Sequence, residues 1–312
     1  MKRFKKILKW TGIILLTIIL GLTITVMARQ NLKFDSPYPN VKSSTDSAVI
    51  ARGKDLIFGP AHCASCHSSV NADSLLALGQ EVALSGGYEF DLSIAKIYSR
   101  NITPDSTTGI GRYSDAEIAR ALRYGVGPDG RAILDFMPFH NTSDEDLAAI
   151  ISYLRAQKPV KKEIPENTYS TMGRIVKAFL VKPVGPDGEV PVSVKIDSSA
   201  AYGKYLALNV SNCAGCHTKR DMAGGYTGEL FSGGSEIEGI VTPNLTTDSS
   251  SRIFTWDQQK FISRFREGKK IQQSPMPWNS FKRMSDDDLI AIYKFLKTLP
   301  PVKTGQLKAE KS

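Results

Sequence analysis

Residues 62–67 read "HCASCH", in which two cysteines two residues apart are followed at once by a histidine. This spacing is compatible with a zinc knuckle, a redox-active dithiol or an attachment site for c-type haem. A second unit of the same kind, "NCAGCH", occupies residues 212–217. The two units contain every cysteine of the 312-residue chain, namely Cys63, Cys66, Cys213 and Cys216. We therefore expect one chemical role for both units.

A c-type haem uses every residue type of this unit. The two thiols add to the vinyl groups of the porphyrin as thioethers, and the adjoining histidine, His67 or His217, supplies an imidazole nitrogen to the iron. Zinc knuckles lie about 12–20 residues apart, whereas 146 residues separate Cys66 from Cys213. A thioredoxin-like dithiol needs no such histidine and normally occurs once, near a βαβ pattern that we do not find. The sequence therefore predicts two covalently bound haem c groups.

Residues 1–28 form a leader that is first basic and then apolar. Its uncharged run, residues 10–28, has 19 residues, close to the roughly 20 that span a bilayer as a helix. We expect a retained, single-pass anchor in the inner membrane, with its basic end in the cytoplasm and the rest of the chain in the periplasm. The small residues at positions 26–28 leave cleavage as a signal peptide open, which would release the protein into the periplasm.

The net charge gives no indication of nucleic-acid binding. The chain carries a formal charge of +9, but five of its basic residues precede the apolar run of the leader, so the remainder carries +4. Membrane topology explains the leader charges. Two haems would add up to four propionates and bring the body near neutral, which argues against a nucleic-acid partner.

The same succession of sequence features occurs twice along the chain. The cysteine units, the segments that follow them, the Met-Pro dipeptides and the last acidic-apolar stretches recur in the same order. The matched segments are 51–67 with 201–217, 101–111 with 244–254, 113–125 with 256–268, 136–139 with 275–278, and 143–160 with 285–302. We predict a leader (1–28), a linker (29–45), a first domain (46–160), an interdomain linker (161–197), a second domain (198–303) and a tail (304–312).

Helix signals place these segments on matched helices. Ser114 and Asp257 are suitable N-caps for helices that end near Gly125 and Gly268. Ser143 opens another helix, and so does its counterpart in the second half. The apolar faces expected for this last pair are Leu147, Ile150, Ile151 and Leu154, and Leu289, Ile292, Tyr293 and Leu296.

A haem iron held by one histidine takes a ligand on its other face or stays open to substrates. Met137 and Met276 are each followed by proline at the equivalent point of the repeat. Proline disfavours helix at the residue before it, which suits a loop that presents a side chain to a metal. We predict both methionines as axial ligands. His140 could replace Met137, although it would break the repeat, and His62 is expected to have a solvent-facing or structural role.

The motifs resemble those of class I c-type cytochromes, over residues 46–303. The tandem arrangement, and above all the stretch 101–131, is similar to the multihaem cytochrome subunits of membrane-bound bacterial dehydrogenases for alcohols, aldehydes or sugar acids. The resemblance implies a mainly α fold of two tandem class I cytochrome c domains, each around one covalent haem, behind a transmembrane helix. Those subunits often carry three haems, and the second half here lacks the Gly-Pro-Asp-Gly turn found at 127–130.

Within the interdomain linker, residues 171–182 predict an amphipathic helix. Its apolar face would contain Met172, Ile175, Val176, Phe179 and Leu180. Such a helix usually covers a domain junction. A position on the membrane surface or against a partner protein stays open.

The functional prediction is electron transfer rather than enzymatic catalysis. Each iron would cycle between its ferrous and ferric states without opening a ligand position. Ligation by methionine and histidine raises the reduction potential of the iron relative to more basic ligand sets. The expected partners are a periplasmic dehydrogenase as donor and an oxidase or another cytochrome as acceptor. A dihaem peroxidase with one open iron is the main alternative, and a redox sensor is a further one.

Overall fold

The computed structural model describes residues 2–68, 72–221 and 224–308. Met1 and residues 309–312 of the predicted tail lie outside the described residues. The fold is mainly helical. Its first helices are α1 (Lys2–Arg29), α2 (Ser47–Phe58), α3 (Ala64–His67), α4 (Ala72–Ala77), α5 (Asp115–Tyr124) and α6 (Asp144–Ala156). The others are α7 (Thr171–Phe179), α8 (Ala200–Tyr205), α9 (Cys213–His217), α10 (Gln258–Arg266), α11 (Trp278–Phe281) and α12 (Asp286–Lys297).

Short antiparallel strands add little to the core. Strands β1 (Glu89–Leu92) and β2 (Ala95–Tyr98) form a hairpin in which Phe90 pairs with Ile97, and β3 (Thr168–Tyr169) joins the β2 edge. Strands β4 (Glu236–Ile237) and β5 (Ile240–Val241) form a second, smaller hairpin. Each hairpin lies in the stretch between a cysteine unit and the matched segment that follows it.

Helix α1 contains the predicted apolar run and extends it at both ends. It is long and apolar enough to cross a membrane, and its window of highest hydropathy is fully exposed. A membrane anchor and a signal sequence both meet this description.

The predicted caps form with the expected hydrogen bonds. Ser114 accepts a hydrogen bond from the backbone of Glu117, whose side chain reaches back to Ser114, and Asp257 accepts one from the backbone of Lys260 at 2.7 Å. Gly125 and Gly268 adopt φ of +59° and +66° after the two helices, a conformation that suits glycine at a helix end. The matched sequence signals of the repeat therefore produce matched local structure.

Two close helix crossings form the centre of the core. Helix α2 packs on α6, and α8 packs on α12. A Cβ placed on Gly53 would lie 1.9 Å from the carbonyl oxygen of Ala149, and one on Gly203 would lie 1.9 Å from that of Ala291. Only glycine allows the backbones to approach this closely, which explains the Gly-Lys pair that precedes each cysteine unit by ten residues.

Helix α7 differs from the predicted junction helix. It spans nine residues, and the two that it buries are Gly173 and Ala178. Of the apolar residues predicted to cover a junction, all but the half-buried Val176 are exposed. The pattern located the helix correctly, but it does not specify which face a neighbouring element covers.

We expect Gly53→Ala and Gly203→Ala each to lower the free energy of unfolding by about 1–3 kcal/mol, because the added methyl overpacks a helix crossing. Gly188→Ala is the matched control, since nothing lies within 4 Å of its Cβ position; it should change stability by less than about 0.5 kcal/mol. Guanidinium unfolding of each variant measures the differences. Equal stability of all three variants would contradict the proposed close packing.

Candidate functional site

The cysteines of each unit lie on one short helical turn. The backbone amide of His67 donates to the carbonyl of Cys63 at 2.8 Å, and α9 carries Cys213, Cys216 and His217 in the same way. Neither pair of cysteines is joined by a disulfide. Burial raises the pKa of Cys63 and of Cys213 to about 12. A redox dithiol needs a lowered thiol pKa, so these thiols suit a structural or covalently attached role better.

Each unit begins with a residue in the left-handed region. His62 has φ of +39° and its counterpart Asn212 has φ of +47°. A positive φ is uncommon for residues other than glycine. Its occurrence at the same position of both units shows that the chain enters the two turns in the same way.

The two predicted axial histidines are oriented by the same hydrogen bond. Nδ1 of His67 lies 2.8 Å from the carbonyl oxygen of Arg100, and Nδ1 of His217 lies 2.9 Å from that of Pro243. A carbonyl only accepts, so Nδ1 carries the proton and Nε2 keeps a lone pair for a metal. Burial lowers the pKa of both histidines, which favours the neutral form that can bind iron. The donor set therefore fits a covalently attached haem in each half.

A buried asparagine holds each of these carbonyl-bearing loops in place. The Asn101 side chain accepts from the Thr103 amide at 3.0 Å and donates to the Val160 carbonyl at 2.8 Å. In the second half, Asn244 makes the equivalent bonds, to the Thr246 amide at 2.8 Å and to the Val302 carbonyl at 2.7 Å. Asn101 and Asn244 are 2% and 1% exposed. The histidine orientation thus depends on two asparagines that open the matched segments 101–111 and 244–254, although the repeat pattern alone indicates no role for them.

The two Met-Pro segments form the same tight turn. The Phe139 amide donates to the Met137 carbonyl at 2.8 Å, and the Trp278 amide donates to the Met276 carbonyl at 2.7 Å. Each turn encloses one proline, and Pro277 has the φ and ψ of an inverse γ-turn, −76° and 62°. Both methionines are half-buried and pack against the hydrophobic core. Met137 lines a small cavity with Asp135 and His140, a cavity whose lining does not include His67.

The structure engages both ring nitrogens of His140. Nδ1 lies 3.0 Å from the Arg123 carbonyl, and Nε2 lies 2.9 Å from the Asp135 carboxylate. Binding to iron would break one of these bonds, so the geometry favours Met137 over His140 as a ligand. His62 packs its ring edge-on against Phe281, with centroids 5.5 Å apart, which is a structural role.

Contacts between the halves lie in or near each cysteine unit, and no sequence pattern indicated them. Ser65, inside the first unit, lies 3.1 Å from Ser280 through their hydroxyl oxygens. Asn279 donates to the Asp73 carboxylate at 2.8 Å. On the opposite side, Thr142 donates to the Asn209 carbonyl at 3.0 Å, just before the second unit. The segment after Met276 therefore lies against the first cysteine unit.

Residues 200–300 match the cytochrome c family. They form a cytochrome c domain. This range includes Cys213, Cys216, His217 and Met276, and domains of this family carry covalently bound haem c.

Several known proteins that match most of the chain are named as cytochromes or cytochrome subunits. The cytochrome c subunit of a quinone alcohol dehydrogenase from Gluconacetobacter polyoxogenes is 31% identical over 84% of this chain and 58% of the relative. The cytochrome subunit of fructose dehydrogenase from Gluconobacter japonicus is 27% identical over 92% and 60%. A dihaem c-type cytochrome from Cereibacter sphaeroides is 26% identical over 79% and 85%. The chain spans about three fifths of the dehydrogenase subunits, and the resemblance inferred from the motifs is confirmed.

We expect Asn101→Ala and Asn244→Ala each to lower the free energy of unfolding by about 1–3 kcal/mol, because each leaves the buried backbone amide of Thr103 or Thr246 without its acceptor. Asn40→Ala is the matched control, since Asn40 is exposed. Chemical unfolding gives the energies, and the optical spectrum reports the histidine environment. A spectrum unchanged by loss of either asparagine, with unchanged stability, would contradict their role.

Proposed function

We propose that this chain is a membrane-anchored, periplasmic dihaem cytochrome c that relays single electrons from a dehydrogenase toward a respiratory acceptor. The observation that carries the proposal is that His67 and His217 make matched hydrogen bonds. In both halves a Nδ1–carbonyl bond, backed by a buried asparagine, prepares a neutral imidazole beside a Cys-x-x-Cys pair. The first half, 46–160, is then a cytochrome c domain like the second, 198–303.

Each half contributes four residues to its haem in this proposal. Cys63 and Cys66, or Cys213 and Cys216, hold the porphyrin through thioether bonds, and the axial pairs are His67 with Met137 and His217 with Met276. The bound haem supplies reversible one-electron chemistry at its iron. Two protein ligands on each iron would leave no position for a substrate, which would keep the role to electron transfer.

The contacts between the halves support a relay. Arg52 and Asp146 form an ion pair at 2.9 Å in the first half. Tyr202 and Tyr205 of the second half bond to them, at 3.1 Å to the guanidinium and 2.8 Å to the carboxylate. A fixed interface of this kind sets one distance between two cofactors. Electrons can then pass through the chain without a change in its conformation.

The relatives and α1 support the place of the relay in a larger assembly. Two of the relatives named above are cytochrome subunits of dehydrogenases, so a periplasmic dehydrogenase is the proposed donor. The proposed acceptor is an oxidase or another cytochrome of the respiratory chain. Helix α1 would hold the relay in the inner membrane, where such an acceptor lies.

Spectroscopy of the intact protein tests this function directly. We expect two low-spin haems per chain, a methionine-to-iron charge-transfer band in the oxidised state, and no binding of carbon monoxide in the reduced state. The reason is that both irons have two protein ligands. Optical and EPR spectra with and without carbon monoxide provide the measurement. A high-spin haem that binds carbon monoxide would point instead to a peroxidase-like enzyme.

Substitution of the axial methionines tests the ligand assignment. Met137→Ala and Met276→Ala should each keep both haems covalently attached, open one iron to carbon monoxide and abolish about half of the charge-transfer band. Met284→Leu is the matched control, because Met284 is buried in the core and has no counterpart in the first half. It should leave both iron spectra unchanged. If an alanine variant behaved like this control, that methionine would not be a ligand.

A further inference from the structure

Helix α7 presents apolar side chains to its surroundings. Met172 and Leu180 are 57% and 66% exposed, and Ile175 and Phe179 are each 39% exposed. These four residues lie along one side of the helix. An exposed apolar stripe of this kind marks a surface that interacts with a membrane or with another molecule.

The rest of the protein contacts α7 on its other sides. A Cβ on Gly173 would lie 2.1 Å from the carbonyl oxygen of Ile94, and the Ser170 amide donates to that same carbonyl at 3.0 Å. Lys177 lies over the ring of Tyr169 at 5.0 Å. The helix is therefore fixed to the first hairpin through its small and polar residues, with the apolar stripe turned away.

The last residue of α1 and the residue after it bind the other end of α7. Nε of Arg29 donates to the Ala178 carbonyl at 2.9 Å, and the side-chain amide of Gln30 donates to the Arg174 carbonyl at 2.9 Å. The Arg29 guanidinium also lies over the Phe179 ring at 5.1 Å. A cation at the C-terminal carbonyls of a helix is favourable. The two helices are thus joined where the apolar run of α1 ends.

This junction sets the depth of α7 relative to a bilayer. The apolar run ends at residue 28, so a bilayer crossed by α1 has its surface at Arg29 and Gln30, the residues that bind α7. The stretch 167–186 also contains Arg174, Lys177 and Lys182 but no acidic residue. Basic residues beside an apolar stripe favour the headgroup region of a bilayer that contains anionic lipid.

We propose that α7 lies in the membrane interface, with Met172, Ile175, Phe179 and Leu180 among the lipid acyl chains and headgroups on the side where α1 emerges. This proposal rests on the retained anchor of the proposed function. Together α1 and α7 give the protein two attachments to the bilayer. They fix the orientation of the first half, whereas a single helix followed by a free linker would let it tilt.

The test is photocrosslinking of the full-length, haem-loaded protein in vesicles of phosphatidylethanolamine and phosphatidylglycerol. p-Benzoylphenylalanine replaces Met172 or Leu180, and in the control it replaces Leu307, which is 57% exposed in the tail and pairs with Gly228 of the second half. Mass spectrometry after irradiation identifies the adducts. We expect phospholipid adducts at positions 172 and 180 and none at 307.

Three results would overturn the proposal. Absence of lipid adducts at 172 and 180 in vesicle-bound protein would do so while leaving the anchor intact. Protein adducts in place of lipid adducts, with a purified dehydrogenase present, would assign the stripe to a partner. Protein that lacks residues 1–28 by intact mass and is recovered free of vesicles would reject the anchor and this inference together, and the haem spectra would still test electron transfer.

Discussion

The hydrogen bond from a histidine Nδ1 to a backbone carbonyl is the constraint on which the rest of each half depends. It selects the tautomer, aims Nε2 away from the loop and fixes the ring plane. The carbonyl is in place to accept this bond because Asn101 or Asn244 fixes the loop that carries it. Each asparagine does so by donating to a backbone carbonyl near the C-terminal end of the same half. The backbone amides of Gly86 and Gly233 fix the histidines further, because they donate to the carbonyls of His67 and His217, each at 2.8 Å.

The repeat preserves interactions even where it changes side chains. Arg123 donates to the Thr142 carbonyl and the Asp144 carboxylate, and Arg266 does the same with the Met284 carbonyl and Asp286. In the first half the Arg155 guanidinium binds the carbonyl of Ile110, whereas in the second half the Lys297 ammonium binds that of Ile253. Thr142 and Met284 can differ in side chain because only their backbone carbonyl accepts the hydrogen bond from the arginine. Backbone acceptors thus tolerate sequence divergence that side-chain acceptors would not.

The sequence predicted what local rules govern. Ser114, Ser143 and Gly125 follow capping chemistry that acts within a few residues, and the cysteines of each unit lie close together because they are only three positions apart in sequence. It did not predict the pairing of Ser65 with Ser280, because two small hydroxyls more than 200 residues apart carry no periodic signal. For a related reason, the sequence left open whether the apolar face of α7 covers a domain junction, lies on the membrane surface or contacts a partner protein. Amphipathic spacing shows that a helix has an apolar face, but it does not distinguish protein from lipid as the cover.

The interface between the halves shows how geometry can be specified at some cost in stability. Asp146 is almost fully buried and is bound by Arg52 and by the hydroxyl of Tyr205. Burial raises the pKa of Tyr205, and the neighbouring carboxylate raises it further, so the phenol stays a hydrogen-bond donor over the working pH range. Desolvating such a pair can offset its own attraction. The ion pair contributes specificity in how the two halves are oriented. An apolar contact would allow several orientations, whereas an ion pair that is hydrogen-bonded to two tyrosine hydroxyls allows one. The proposed relay between two haems would need that single orientation, since electron transfer weakens steeply as cofactors move apart.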